Sequence, residues 1–439
     1  MGPSDEQRDV ILVGGDRDGQ WHLARDARGL GIDGARGLVG TKDSAEAGGS
    51  NEGHVGKVDG CRFGVRGMCR DTSLAISVLA PGTYNLHPSG SGSTSIESTR
   101  FCREILPSVS RTFALSIRVL PGTLGRAVLV AYLLCRIADT IEDEPDLPAE
   151  RKAELLDLLL GCLDDGGASQ RYITASADVG GDSAHVRLNR NANLVFAELH
   201  ALPAGTRTHV RHWVAEMVAG MRTFVLRYPR GIRIQSVEEY REYCYYVAGT
   251  VGYMLTDLWH EHSRTIGPSR YRQLRERCRA FAEALQTVNI LKDVRRDAEH
   301  ENSIYIPEQL LQEHGSSHAA LLTEERARQT RDAFAALGRL ATHDLGQAQA
   351  YLLTVPRRAI AIRLFCALPL LFACATLRDL RRAWGSPAAS GVTVKISRSE
   401  VKALTILGVL GIASNHMLRW LTRRAGTRPL VFGGRGAGN

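Results

Sequence analysis

From Thr99 to Arg424, apolar residues recur at intervals of three and four and almost nowhere alternate. "AELLDLLLGCL", "LVFAELHAL", "VAEMVAGMRTFVL", "YVAGTVGYMLTDLW" and "FAEALQTVNILKDV" each lay an apolar stripe along one helix face. Such stripes bury themselves against one another, so the chain predicts an all-α fold in which one helical domain covers residues 96–425. Hydrophobic residues make up 44% of the chain, enough for a sizeable core. The most apolar run, from Leu364 to Leu377, contains Pro369 and is too short to span a bilayer; it reads as a buried helix. Residues 166–183, rich in Gly, Ser and Asp, predict a surface loop or an inserted excursion.

The two ends differ in kind. Residues 1–100 hold 19 of the 44 glycines, mixed with Asp and Arg in no sustained period. That composition buries too little apolar surface to offset chain entropy, so residues 1–95 are expected to be a disordered extension, or a mis-assigned start ahead of Met68. Residues 426–439 are expected to be a flexible tail. No basic segment followed by an apolar one opens the chain, and the nine cysteines form no CxxC pair. Together these predict a cytoplasmic protein with reduced thiols. The net charge of +8 suits phosphate-bearing substrates, anionic lipid or nucleic acid. No basic face interleaved with aromatics argues for nucleic acid, which is not expected as a partner.

Two segments carry the chemistry. In "CRIADTIEDEP", Asp139, Glu142 and Asp143 lie within five residues, directly behind an apolar run. Tyr132, Arg136, Asp139 and Asp143 step by four, three and four, so they share one helix face, with Glu142 beside it. In "ALQTVNILKDVRRDAEHENSIYIP", Gln286, Asn289, Asp293 and Asp297 form a second stripe flanked by Lys292 and Arg296. Either stripe alone reads most simply as a solvated helix turn. Two such stripes on helices with buried faces could instead hold Mg²⁺ ions that bridge to a substrate phosphate. A di-iron carboxylate bundle would want Glu-x-x-His, which neither stripe contains. Basic neighbours and an apolar surround suit the ionisation of an allylic diphosphate, with Phe113, Tyr132, Tyr243, Tyr245 and Tyr246 as aromatic faces for a carbocation.

These segments resemble those of the head-to-head prenyl synthases, the family of squalene, dehydrosqualene and phytoene synthases. "SRTF" (110–113) looks like the opening diphosphate-contact segment, "YLLCRIADTIED" (132–143) like the first aspartate-rich motif, and "YCYYVAGTVG" (243–252) like the central tyrosine motif. "QTVNILKDVRRD" (286–297) looks like the second aspartate-rich motif, and "IYIPEQLL" like its follow-on. The resemblance covers residues 101–425. It implies a single-domain isoprenoid-synthase helical bundle around a central apolar cavity. It also implies that Asp139, Glu142, Asp143, Asn289, Asp293 and Asp297 serve a magnesium–diphosphate cluster. Ser110, Arg111, Phe113, Tyr132, Arg136, Gln286, Asn289 and Lys292 would lie near substrate, and Tyr243 at the centre of the chemistry. Gly249 and Gly252 would admit either a helix backbone or a prenyl chain.

The later segments "LFCALPLLFACATL" and "VTVKIS" look more like squalene synthases than phytoene synthases. That implies two farnesyl diphosphates as substrates, presqualene diphosphate as intermediate and NADPH as reductant, with Lys395 a candidate for the NADPH phosphates. Dehydrosqualene or phytoene synthesis, without reduction, is the alternative. A helical scaffold that kept the fold but lost the chemistry is a further one. Lys292 stands where arginine is usual, which keeps the charge but loses the two-pronged fork. Arg296 stands where an acid is commoner, and either joins the site or points to solvent. Greasy substrates and products imply work beside a bilayer. Residues 417–428, "MLRWLTRRAGTR", are either an interfacial anchor or, more simply, a capped terminal helix with a solvated basic end. Oligomeric state is left open.

Overall fold

A computed structural model describes residues 92–181, 183–384 and 394–431. The expected disorder of residues 1–91 and of the tail beyond 431 lies outside them. Among the described residues the regular structure is helical. The first group is α1 (Gly92–Val109), α2 (Arg111–Arg118), α3 (Gly122–Asp143), α4 (Ala149–Asp164), α5 (Ser169–Ala175), α6 (Ser183–Arg190) and α7 (Ala192–His200). Next come α8 (Ala204–Arg227), α9 (Val237–Cys244), a π-helical turn (Tyr245–Gly249) that runs into α10 (Thr250–His262), and the long α11 (Pro268–His300). The last are α12 (Glu308–Glu313), α13 (Ala327–Thr354), α14 (Ile360–Trp384), α15 (Arg398–Gly411) and α16 (Asn415–Ala425).

Helix α11 packs along α13 and crosses α10; α10 packs on α8, and α8 on α3 and α4. The two acidic helices, α3 and α11, both pack against α10, and α3 also packs against α8. The close crossing of α10 and α11 requires glycine: a Cβ on Gly252 would sit 2.3 Å from the Cys278 carbonyl oxygen. Of the two roles open to Gly252, backbone approach is the one found. Helix α14 is long and apolar enough to cross a membrane, but 89% of its most apolar window is buried in the protein. It is the expected core helix, and it continues through Pro369 without ending.

Residues 166–183 are not the expected loop. Two 3₁₀ turns (Gly166–Ala168 and Ser176–Asp178) flank α5. Asp165 accepts a hydrogen bond from the Gly167 N–H at 2.9 Å, so a polar residue acts as a cap where composition suggested irregularity. Tyr172 supplies the anchor: its ring is fully buried and its hydroxyl donates to Asn189.

The one β-bridge among the described residues pairs Arg233 with Ile304 in parallel. The Ile304 N–H donates to the Ile232 carbonyl at 2.8 Å, and the Ile234 N–H to the Ile304 carbonyl at 3.2 Å. This ties the approach to α9 to the segment leaving α11. All seven described cysteines are free thiols.

Candidate active site

The first stripe lies at the C-terminal end of α3, whose residues from Leu124 onward are mostly buried. Asp139, Glu142, Asp143, Asn289, Asp293 and Asp297 are all between 3 and 8% exposed. Neither stripe is therefore a solvated helix turn. Burying so many carboxylates is costly unless cations compensate them. Arg136, itself buried, sets Nη1 3.7 Å from Asp139 Oδ2. Its Nη2 donates to the Tyr132 hydroxyl at 3.3 Å, and that hydroxyl donates to the Val109 carbonyl at 3.3 Å. Lys152 Nζ donates to the Glu142 carbonyl at 2.7 Å, a cation at the negative end of α3.

The 110–113 segment closes over this stripe. Ser110 is the N-cap of α2 and accepts from the Phe113 N–H at 3.1 Å. The Phe113 ring lies 4.7 Å from that of Tyr132. Arg111 is the first residue of α2.

The second stripe lies in the C-terminal half of α11. Lys292 Nζ is 3.2 Å from Asp293 Oδ2. Burial raises the Asp293 pKa, and Lys292 and Arg296 offset that rise only in part. Arg296 does not point to solvent: it is buried, and its Nη1 lies 2.9 Å from Glu301 Oε1. The Ser303 N–H donates to the Asp297 carbonyl at 2.9 Å, so the chain turns back over the end of the stripe. Gln286, one turn above Asn289, is half-buried.

A further buried ionisable group is His185 of α6, a helix that packs on α3. It is fully buried, and its pKa is lowered to about 3, first by burial and then by the positive charges of Arg136 and Arg296. Nothing in the sequence singled out His185, a lone histidine in a short helix.

Tyr243 of α9 is buried against the second stripe's exit. Its ring stacks on Tyr305 at 4.8 Å and meets Phe224 edge-on at 5.2 Å. The two following tyrosines occupy the π turn, a local widening often found at functional sites. The Tyr245 hydroxyl donates to Glu216 at 3.3 Å, and the Arg279 guanidinium lies 5.0 Å over its ring. A further buried acid, Glu283, was missed although it lies three residues before Gln286 and extends the same stripe. Arg241 donates to Glu283 at 2.8 Å and to Asp344 at 2.6 Å, tying α9, α11 and α13 together at this level. Lys395 is half-buried, two residues before Ser397, the N-cap of α15.

Among the described residues, no three His, Cys, Asp or Glu side chains converge as a ready-made metal cage. The donors here are carboxylate and amide oxygens on two separate helices. That set fits Mg²⁺, which keeps waters and takes one or two carboxylates plus substrate phosphate rather than a closed protein cage. It does not fit a structural zinc site.

Residues 106–400 match the family model for squalene/phytoene synthase. The chain is 26% identical over 324 residues to squalene synthase of Schizosaccharomyces pombe, covering 71% of this chain and 65% of that protein. Over 280 residues it is 27% identical to squalene synthase 1 and 28% identical to inactive squalene synthase 2 of Arabidopsis thaliana. Those two matches cover 63% of this chain and 64% and 63% of the respective relatives. The chain thus spans just under two thirds of the length of these relatives. The solved complex of TcSQS with the ligand BPH1237 superposes with a TM-score of 0.64 at 24% identity, over 75% of this chain and 91% of that one. At that identity the likeness is one of fold.

Proposed function

This chain belongs to the squalene/phytoene synthase family, and we propose that it condenses two farnesyl diphosphates head to head to presqualene diphosphate, then reduces that intermediate with NADPH to squalene. The observation that carries the reading is the burial of two acidic stripes on separate helices, with a cation beside each. An unused cluster of this kind would only destabilise the core, which argues against a scaffold. A site that grips diphosphate through cations makes sense of it.

In this reading Asp139, Glu142 and Asp143 on α3, and Asn289, Asp293 and Asp297 on α11, hold Mg²⁺. When bound, the metal neutralises diphosphate charge and stabilises the leaving group. Arg136 and Lys292 add positive charge where the diphosphate departs. His185 is held neutral, so it can donate one N–H without adding charge. Tyr243, clamped between Tyr305 and Phe224, presents its hydroxyl from a fixed ring and orients the departing group or the proton to be lost. Phe113 and Tyr132 offer ring faces to a carbocation beside the first stripe. Ser110 contributes by fixing the start of α2, since its hydroxyl is engaged as a cap.

The reductive half is read from "VKIS" and the squalene synthase relatives. Lys395, just ahead of the capped N-terminus of α15, gives a cationic edge that suits the phosphates of NADPH. Because substrate and product are greasy, we place the enzyme in the cytoplasm at a membrane face. Purified full-length protein incubated with farnesyl diphosphate and Mg²⁺ tests the proposal. Squalene formed only with NADPH supports it. A hydrocarbon product indifferent to NADPH would shift the reading to dehydrosqualene synthesis, and no release of pyrophosphate would remove the enzyme.

A further inference from the structure

The Tyr243 ring leans on Phe224, and Phe224 belongs to a different helix, α8. Three residues further on, Arg227 ends that helix. Its guanidinium lies 4.5 Å over the fully buried Phe224 ring. The same guanidinium reaches across to α9, the helix that carries Tyr243. Nη1 donates to Glu242 Oε2 at 2.9 Å and Nη2 to Glu242 Oε1 at 3.2 Å, while Nη1 also donates to Glu239 Oε1 at 2.9 Å. Glu242 directly precedes Tyr243, and Glu239 lies one turn before it. One side chain therefore holds both the ring that Tyr243 rests on and the helix turn from which Tyr243 projects.

The chemistry requires arginine here. A planar guanidinium can stack by its face while its edge donates to two carboxylates, which a lysine ammonium cannot do. The end of a helix also favours a cation. Glu239 extends the fastening to the loop between the helices. It accepts from the Tyr228 hydroxyl at 2.7 Å and from the Gln235 N–H at 2.7 Å, and its own N–H donates to Ser236, the N-cap of α9, at 3.1 Å. The Arg227 and Glu242 side chains are 36% and 40% exposed. Ion pairs so exposed contribute little to stability, so the weight of this one falls on geometry.

We propose that Arg227 is a positioning residue for Tyr243, fixing the angle at which α9 presents the Tyr243 hydroxyl to the reacting diphosphate. This rests on the role given to Tyr243 above. A displacement of about 1 Å at a reacting group can cost ~100-fold in rate without weakening substrate binding, and this is the signature to look for.

The test compares Arg227→Gln, Glu242→Gln and the double variant with the unmodified full chain. Calorimetric titration with farnesyl thiodiphosphate and Mg²⁺ gives the affinity and the binding-competent fraction. Pyrophosphate release from farnesyl diphosphate, divided by that fraction, gives kcat. Arg227→Gln should lower kcat at least tenfold and Glu242→Gln at least threefold, with Kd and KM within twofold of the unmodified chain. The double variant should lose no more than Arg227→Gln alone. Arg211→Gln, which breaks the exposed pair of α8 with Asp164, should leave kcat unchanged. Should Arg227→Gln fold poorly, Glu242→Gln at its half-buried position decides the matter. A kept kcat, a joint loss of kcat and affinity, or losses that multiply in the double variant would each overturn the role. An unmodified chain that binds the analogue but releases no pyrophosphate would instead sink the reading of function, and the role of Arg227 with it.

Discussion

Arg296 shows what residue-level reading can and cannot reach. Its position beside Asp297 marked it as unusual, but only the structure shows it buried and paired with Glu301. Removing one member of a buried pair strands the other, so Arg296→Ala should lower stability by ~3 kcal/mol in urea unfolding, and Arg296→Met with Glu301→Leu should recover most of that loss. His185 has a different signature. Its folded pKa, about 3, lies below the ordinary histidine value, so the unfolded chain binds a proton that the folded chain refuses. The resulting stability is complete above the unfolded pKa, roughly 6.5, and falls by ~1.4 kcal/mol per pH unit below it. His185→Gln should therefore flatten the fall in melting temperature between pH 7 and 5. An unchanged slope would mean that His185 does not stay neutral. The acidic residues themselves were legible because carboxylates at three- and four-residue spacing behind an apolar run have few explanations. His185 was not, because the charges that act on it are distant in sequence, and Glu301 was not, because it meets Arg296 only where the chain turns at the end of α11.

At the scale of elements, periodicity predicted the helices well, and failures fell where anchoring depends on a few scattered residues rather than a stripe. The 166–183 segment looked like a loop because small and polar residues dominate it, yet Tyr172 and Val179 give it buried anchors and Asp165 a cap. The bridge between Arg233 and Ile304 was invisible because two short segments cannot declare a register. The crossing of α10 on α11 was half visible: Gly252 was marked as a site of close approach, but its neighbour was not known. Gly252→Ala would press a methyl into the Cys278 carbonyl. It should cost ~2 kcal/mol or more in unfolding free energy, because backbone at a helix crossing cannot step aside. A smaller loss, under ~0.5 kcal/mol, would show that the two helices can separate.

Across the whole molecule, the central claim is that α3 and α11, which both pack on α10, act on one diphosphate region. The fold, the order of the motifs and the stripes could be read from the sequence. Their convergence could not, since it depends on how helices distant in sequence pack together. Both helices pack on α10 and bury their polar stripes, as a shared site requires. The direct test is a double-mutant cycle on Mg²⁺-dependent binding of farnesyl thiodiphosphate, an unreactive substrate analogue, followed by calorimetry. Asp139→Asn and Asp293→Asn should each weaken binding at least tenfold, and the double variant should lose far less than the product of the two, a coupling of ~1.4 kcal/mol or more. Losses that simply multiply, or binding indifferent to Mg²⁺, would contradict a shared site.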